Sequence, residues 1–192
     1  MVFSLLMVIA SPESIEAQGP SSRGAWTVGG SARFSRLHDR GNDEVEIGFE
    51  FFPDVGFFFM DGFLVSAGAR LGWANRSGVG SASTLGIGPA ISYYLGRKGA
   101  TLLPFVSVRT LWETVRFSPA ASNQAPSEVV HDNLWAVSVG AAQFLAKNLA
   151  VTGELYSSWF STETVRIEPV PVRLRNSSQE FGVRFGLRVF LW

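Results

Sequence analysis

A chain of 192 residues with no cysteine, two histidines and a formal net charge of zero excludes disulfide frameworks, thiolate metal sites, thiol nucleophiles and multi-histidine metal centres. It also lacks the basic surplus of a nucleic-acid binder. Apolar residues make up 46%, yet nowhere do they run for the roughly 18 consecutive positions that signal a membrane-spanning helix.

In chain order, the first feature is a short apolar run, Val2–Ala10 (VFSLLMVIA), followed by a polar stretch ending Ile15-Glu16-Ala17-Gln18-Gly19. A short apolar run closed by a small residue predicts an export signal, residues 1–17, cleaved after Ala17. No Lys or Arg precedes the run, which departs from the usual pattern. Residues 18–192 then form one domain.

From Trp26 onward the dominant period is two, that of strands with two unlike faces. Eight segments alternate in this way: Ala25–Ser35, Glu44–Phe59, Phe63–Ala74, Ser83–Leu95, Leu102–Thr114, Asn133–Leu145, Leu149–Phe160 and Glu180–Trp192. Most have the length of a tilted membrane strand or a little more. The connections alternate too. Met60-Asp61-Gly62, Gly96–Thr101 and Ala146-Lys147-Asn148 are short, whereas Phe117–Asp132 and Ser161–Gln179 read as long loops.

A soluble sandwich and a barrel in lipid both produce alternation, and the tryptophans discriminate between them. Trp73, Trp112, Trp135 and Trp159 fall at one end of their strands on the apolar face, and Trp26 and Trp192 fall at the other. Rings gathered at two levels predict two membrane–water interfaces, with Phe57, Phe59 and Tyr93 joining the second level. The opposite face collects Arg33, Glu46, Glu50, Arg70, Arg109, Glu113, Glu154, Glu180, Arg184 and Arg188. Enclosed charges are costly unless paired, so this balanced set predicts a closed interior of ion pairs. Glu50 is expected between Arg33 and Arg70, and Glu154 against Arg184 or Arg188. Small residues such as Gly29, Ser31, Gly48, Gly68, Gly86, Gly88, Ser92, Ser138 and Gly140 share that face and leave room for the larger ones. The expectation is an all-β, closed, eight-stranded antiparallel barrel of up-and-down topology, with its lumen filled by side chains.

Three stretches carry a family resemblance: Trp26–Ala32 (WTVGGSA), Leu85–Leu95 (LGIGPAISYYL) and Leu103–Val106 (LPFV). They resemble the bacterial outer-membrane β-barrel domain family, the OmpX-like and OmpA-barrel-like porin-family proteins, over roughly Trp26 to Trp192. The resemblance implies residence in the outer membrane of a Gram-negative bacterium, among outer-membrane lipid and lipopolysaccharide. The end of the chain, Phe185–Trp192 (FGLRVFLW), is similar to the last-strand signal read by the barrel assembly machinery, with Trp in place of the usual Phe. Arg188 shares parity with Phe190 and Trp192, so a local bulge is expected to re-aim the final residues.

No nucleophile-elbow, zinc-protease, phosphate-loop or dinucleotide motif is present. The lipid A deacylases of similar size carry a His-x-Ser pair, but His131 is followed by Asp132-Asn133, and His38 reads as a loop residue. The sequence therefore predicts a non-enzymatic envelope protein without cofactor or metal. A small porin-like channel and a lipid A-modifying enzyme remain as alternatives. Within the last connection, Val165–Leu174 still alternates around Pro169 and Pro171. It is expected to continue the final hairpin above the membrane, to offer an edge to a strand-pairing partner, and to set Arg166, Arg173 and Arg175 against lipopolysaccharide phosphates.

Overall fold

The computed structural model describes residues 21–39, 44–77, 80–96, 100–120, 128–168 and 170–191, without the side chains of 36–39, 44–45, 128, 162–168 and 170–176. The expected signal segment and Trp192 lie outside the described residues. The eight strands are β1 (Trp26–Asp39), β2 (Glu44–Met60), β3 (Phe63–Arg76), β4 (Gly80–Tyr94), β5 (Leu102–Pro119), β6 (Glu128–Ala146), β7 (Leu149–Glu168) and β8 (Val170–Leu191). Each pairs antiparallel with its sequence neighbours, and β8 returns to β1 to close a barrel.

The register fixes the barrel's shape. Stepping straight across the sheet from Trp26 leads through Phe57, Val65, Ile91, Val108, Val137 and Ser157 to Phe181. Trp26 itself faces Leu191, ten residues further along β8. This stagger is the shear that closure demands, and it tilts the strands by roughly 35–45° to the barrel axis.

Tight turns close one end of the barrel. At Asp61-Gly62 the chain reverses with Gly62 at φ +79°, a conformation in which a Cβ would be strained. The Gly62 N–H donates to the Ser21 carbonyl at 2.8 Å, and its own carbonyl accepts from Tyr94 N–H at 2.8 Å. The β2–β3 and β6–β7 registers each slip next to the turn, at Phe58/Met60 and Phe144/Ala146.

At the other end the structure corrects the sequence. Phe117–Asp132 is not a long loop throughout, because β5 runs to Pro119 and β6 begins at Glu128. Ser161–Gln179 is strand throughout, apart from residue 169, which lies outside the described residues. Within it Val165–Leu174, where alternation predicts strand, lies in β7 and β8; the flanking Ser161–Thr164 and Arg175–Gln179 carry no apolar alternation, but rungs are made by backbone groups and need none. Thr114 and His131 also meet across the extended β5–β6 pair at 3.3 Å.

The expected bulge near the C-terminus is likewise absent. Val189, Phe190 and Leu191 stay in register with β1, so Phe190 points inward and is 1% exposed. It joins Arg188 on the inner face because the space between the barrel walls at that end is filled by rings.

Candidate functional site: the barrel interior

Inward parity stacks two unlike layers in the lumen. Near the turn end, Phe58, Leu64, Tyr94, Leu103, Phe105, Phe144 and Phe190 form one buried cluster. Phe58 meets Tyr94 edge-on at 5.6 Å and stacks on Phe190 at 6.4 Å, while Phe144 lies 5.0 Å from Phe190. Such tilted and edge-on pairs suit the ring quadrupoles.

Next to these rings the lumen turns polar. Arg188 donates through Nη1 to the Tyr94 hydroxyl at 2.7 Å and through Nη2 to Asp54 Oδ2 at 2.5 Å. Arg109 Nη2 lies 3.5 Å from the same carboxylate oxygen. Ser92 donates to Ser107 at 3.0 Å. A cavity of about 20 Å³ lies among Asp54, Ser66, Ser107, Arg109, Glu154 and Arg188, which is room for a water between otherwise underpaired polar atoms.

Further toward the long-hairpin end stands a chain of alternating charge. Arg33 Nη2 meets Glu50 Oε1 at 2.6 Å, and Arg70 Nη2 meets the same oxygen at 2.7 Å. Arg70 Nη1 continues to Glu113 Oε2 at 2.7 Å. Arg33 also contacts Tyr156 and Glu180, and Tyr156 donates to Glu180 at 2.8 Å. Arg184 Nε lies 3.1 Å from Glu154 Oε1, close enough for an ion pair but off the angle of a hydrogen bond. Phe52 threads this layer, with the guanidinium carbons of Arg184, Arg70 and Arg109 at 4.6, 5.7 and 5.9 Å from its ring centre. Aromatic faces offer cations partial compensation for lost water.

The ten sequence-read charges all lie on the inner face, though not in one group. Glu46 stands apart near the open mouth, opposite Arg76 in the register. There it borders a space of about 290 Å³ with Arg33, Glu50 and Glu180. Asp54 was missing from the sequence-read set. Its parity matches Glu46 and Glu50, so the signal existed, but Pro53-Asp54 has the look of turn residues. Tyr94 and Tyr156 were missed as well, and only cross-barrel proximity reveals them.

Trp26, Trp73, Trp112, Trp135 and Trp159 all point outward, 43–58% exposed. Trp135 and Trp159 face each other across β6 and β7. Once the stagger is allowed for, Trp73, Trp112, Trp135 and Trp159 come within about a residue or two of one height. Trp26 lies at the turn end beside Phe57, ring centres 5.1 Å apart. In the long hairpin, Arg175 pairs by register with Glu163, Arg173 with Val165 and Arg166 with Val172. The side chains of these arginines lie outside the described residues.

A closed up-and-down barrel with an apolar exterior and a polar interior is the architecture of outer-membrane β-barrels. The fold matches OprG from Pseudomonas aeruginosa (TM-score 0.62, 12% identity, covering 92% of this chain and 99% of that one). It also matches Neisserial surface protein A (0.53, 10%, 86% and 94%) and the N-terminal β-barrel domain of Pseudomonas aeruginosa OprF (0.51, 12%, 88% and 98%). No family model matches the sequence, and no curated protein matches it.

Proposed function

We propose that this protein is a non-enzymatic β-barrel of the Gram-negative outer membrane whose lumen is plugged by its own side chains, serving an envelope structural or surface-interaction role. The observation that carries this reading is the stacking of the ring cluster, the Asp54 layer and the Arg33–Glu50–Arg70–Glu113 chain across one narrow interior. The tryptophans at two heights serve as interface anchors in lipid. The C-terminal strand is the segment presented to the barrel assembly machinery. The hairpin ending at Glu168 and resuming at Val170 stands above the outer tryptophan level. Its Arg166, Arg173 and Arg175 engage lipopolysaccharide phosphates, and its edge is open to a pairing strand.

Purified protein reconstituted in planar bilayers tests the plug. The expectation is no sustained conductance, and a stable open channel would replace this reading with the porin-like one. Mass spectrometry of lipid A from cells with and without the gene tests the absence of enzymatic activity. An unchanged acyl pattern is expected, and an altered one would mean a lipid-modifying enzyme.

A further inference from the structure

The outer wall of the barrel is low on one side and high on the other. On the low side, Pro53 of β2 and Pro89 of β4 stand on either side of β3. Pro89 faces Ala67 in the register, and the β2–β3 pairing skips Pro53 between Phe51↔Leu71 and Asp54↔Gly68. The β4–β5 pairing likewise skips Pro89, between Ile87↔Trp112 and Ala90↔Arg109. Proline has no N–H for a rung, which keeps it out of most mid-sheet positions. Here the two prolines, with Ala67 and Ala69, form the floor of a hollow of about 670 Å³ that runs from Val28 to Trp112. Its outward side chains are all apolar, and Asp54 on the same stretch turns inward to Arg188.

On the high side stand the three most exposed large hydrophobic side chains among the described residues, Phe181 at 73%, Phe34 at 68% and Phe185 at 66%. Phe185 sits between Gly153 on β7 and Ala32 on β1, its direct partners in the register. Neither is large enough to flank its ring, which stands out as a knob. Once the stagger is allowed for, Phe185 lies within about a residue of the height of Pro53, Ala67 and Pro89. Phe34 and Phe181 lie higher, level to about a residue with Ile87 and Trp112 at the upper end of the hollow. Knob and hollow thus share a depth but lie on different walls of the barrel.

We propose that a second copy of this chain, in the same orientation, seats its Phe185 in this hollow. The proposal rests on the membrane reading above, which puts both features near the middle of the bilayer. Within lipid no hydrophobic drive brings two apolar walls together, so contact depends on close packing of matched shapes. A fluid acyl chain would fill the hollow but leaves the isolated ring of Phe185 without a role. A second copy accounts for both, because every barrel brings its knob to the depth of its neighbour's hollow. Since the two features lie on different walls, the contact is heterologous. It repeats from copy to copy by rotation about the membrane normal, and no copy is inverted.

Because the chain has no cysteine, introduced thiols report on this contact directly. Leu187→Cys on the knob wall and Val65→Cys on the hollow wall lie at exposed sites of matching height, and they leave Phe185 and Ala67 in place. The two chains, differently tagged, are expressed together and treated in native outer-membrane vesicles with a short membrane-permeant thiol cross-linker. A mixed dimer is expected, several-fold more abundant than the dimer of either chain alone. It should equally exceed the product of Leu187→Cys with Val139→Cys, an exposed site on another wall. Adding Ala67→Phe to the Val65→Cys chain fills the hollow, and adding Phe185→Ala to the Leu187→Cys chain removes the knob. Each is expected to return the yield to the control level. A mixed yield no higher than the control, or one that both changes leave intact, would overturn the proposal. So would a dimer of Leu187→Cys alone as abundant as the mixed one, because knob walls would then meet each other. Heat-modifiable gel migration is checked for every chain. Its absence from the unsubstituted protein overturns the membrane-barrel reading and this proposal with it, whereas folded barrels without the mixed dimer overturn this proposal alone.

Discussion

The two ends of the lumen are filled by opposite means. The ring cluster around Phe58, Tyr94, Phe144 and Phe190 holds by packing, and its cohesion depends on volume and shape. The polar filling around Asp54, Arg188, Arg33, Glu50, Arg70 and Glu113 holds by charge matching, with each of these cations within 3 Å of a carboxylate. The first should yield gradually as atoms are removed. The second should fail abruptly when a single charge goes, because a buried charge without a partner costs more than the pair ever contributed. One barrel wall thus encloses two materials, and substitutions can tell them apart.

The largest effect is expected at Asp54, which faces both Arg188 and Arg109. Asp54→Ala should destabilise the barrel by about 3–5 kcal/mol, read from urea unfolding in detergent or lipid vesicles. A loss well under 1 kcal/mol would mean that water already solvates these arginines. Phe58→Ala should also cost about 3–5 kcal/mol, by leaving a cavity among the rings.

Shape-preserving exchanges sharpen the contrast. Phe58→Leu keeps most of the apolar volume and should cost roughly 1–2 kcal/mol. Asp54→Asn keeps the shape but not the charge, and should remain closer to Asp54→Ala than to wild type. If the two exchanges cost the same, the distinction between layers collapses. The smallest effect is expected from salt. Ion pairs shielded from solvent are screened little, so raising ionic strength from 0.1 to about 1 M should leave the penalty of Asp54→Ala nearly unchanged. A penalty that vanished in salt would place these charges in open water.

How much of this could be read from the sequence depends on whether the signal is local. The strand count, the two faces and the inward charges follow from period-two alternation, as β3 illustrates: Leu64, Ser66 and Arg70 are buried while Val65, Leu71 and Trp73 are exposed. The alternation of Val165–Leu174 announced the hairpin's upper part, whereas the stretches joining it to the barrel were read as loop because Ser161, Thr162 and Ser177 carry no apolar rhythm, and their order comes from the neighbouring backbone. Asp54 was hidden behind Pro53. The partners of Arg33 are still less local. Tyr156 and Glu180 lie more than a hundred residues away in sequence, and only the stagger of the closed barrel brings them to it. The β1–β8 ladder, which ends at Ala32↔Phe185, belongs to the same class, because closure joins the two ends of the chain.

The most direct test of the filled, charge-matched lumen is a paired unfolding measurement on Glu50→Ala and Glu128→Ala. Glu50 lies between Arg33 and Arg70, whereas Glu128 opens β6 at the far end of the barrel. Glu50→Ala should leave two arginines facing each other and lose about 3–5 kcal/mol, with a clear fall in unfolding temperature, while Glu128→Ala changes it little. Equal effects of the two substitutions would mean a solvated inner face, and the barrel would have to be an open one.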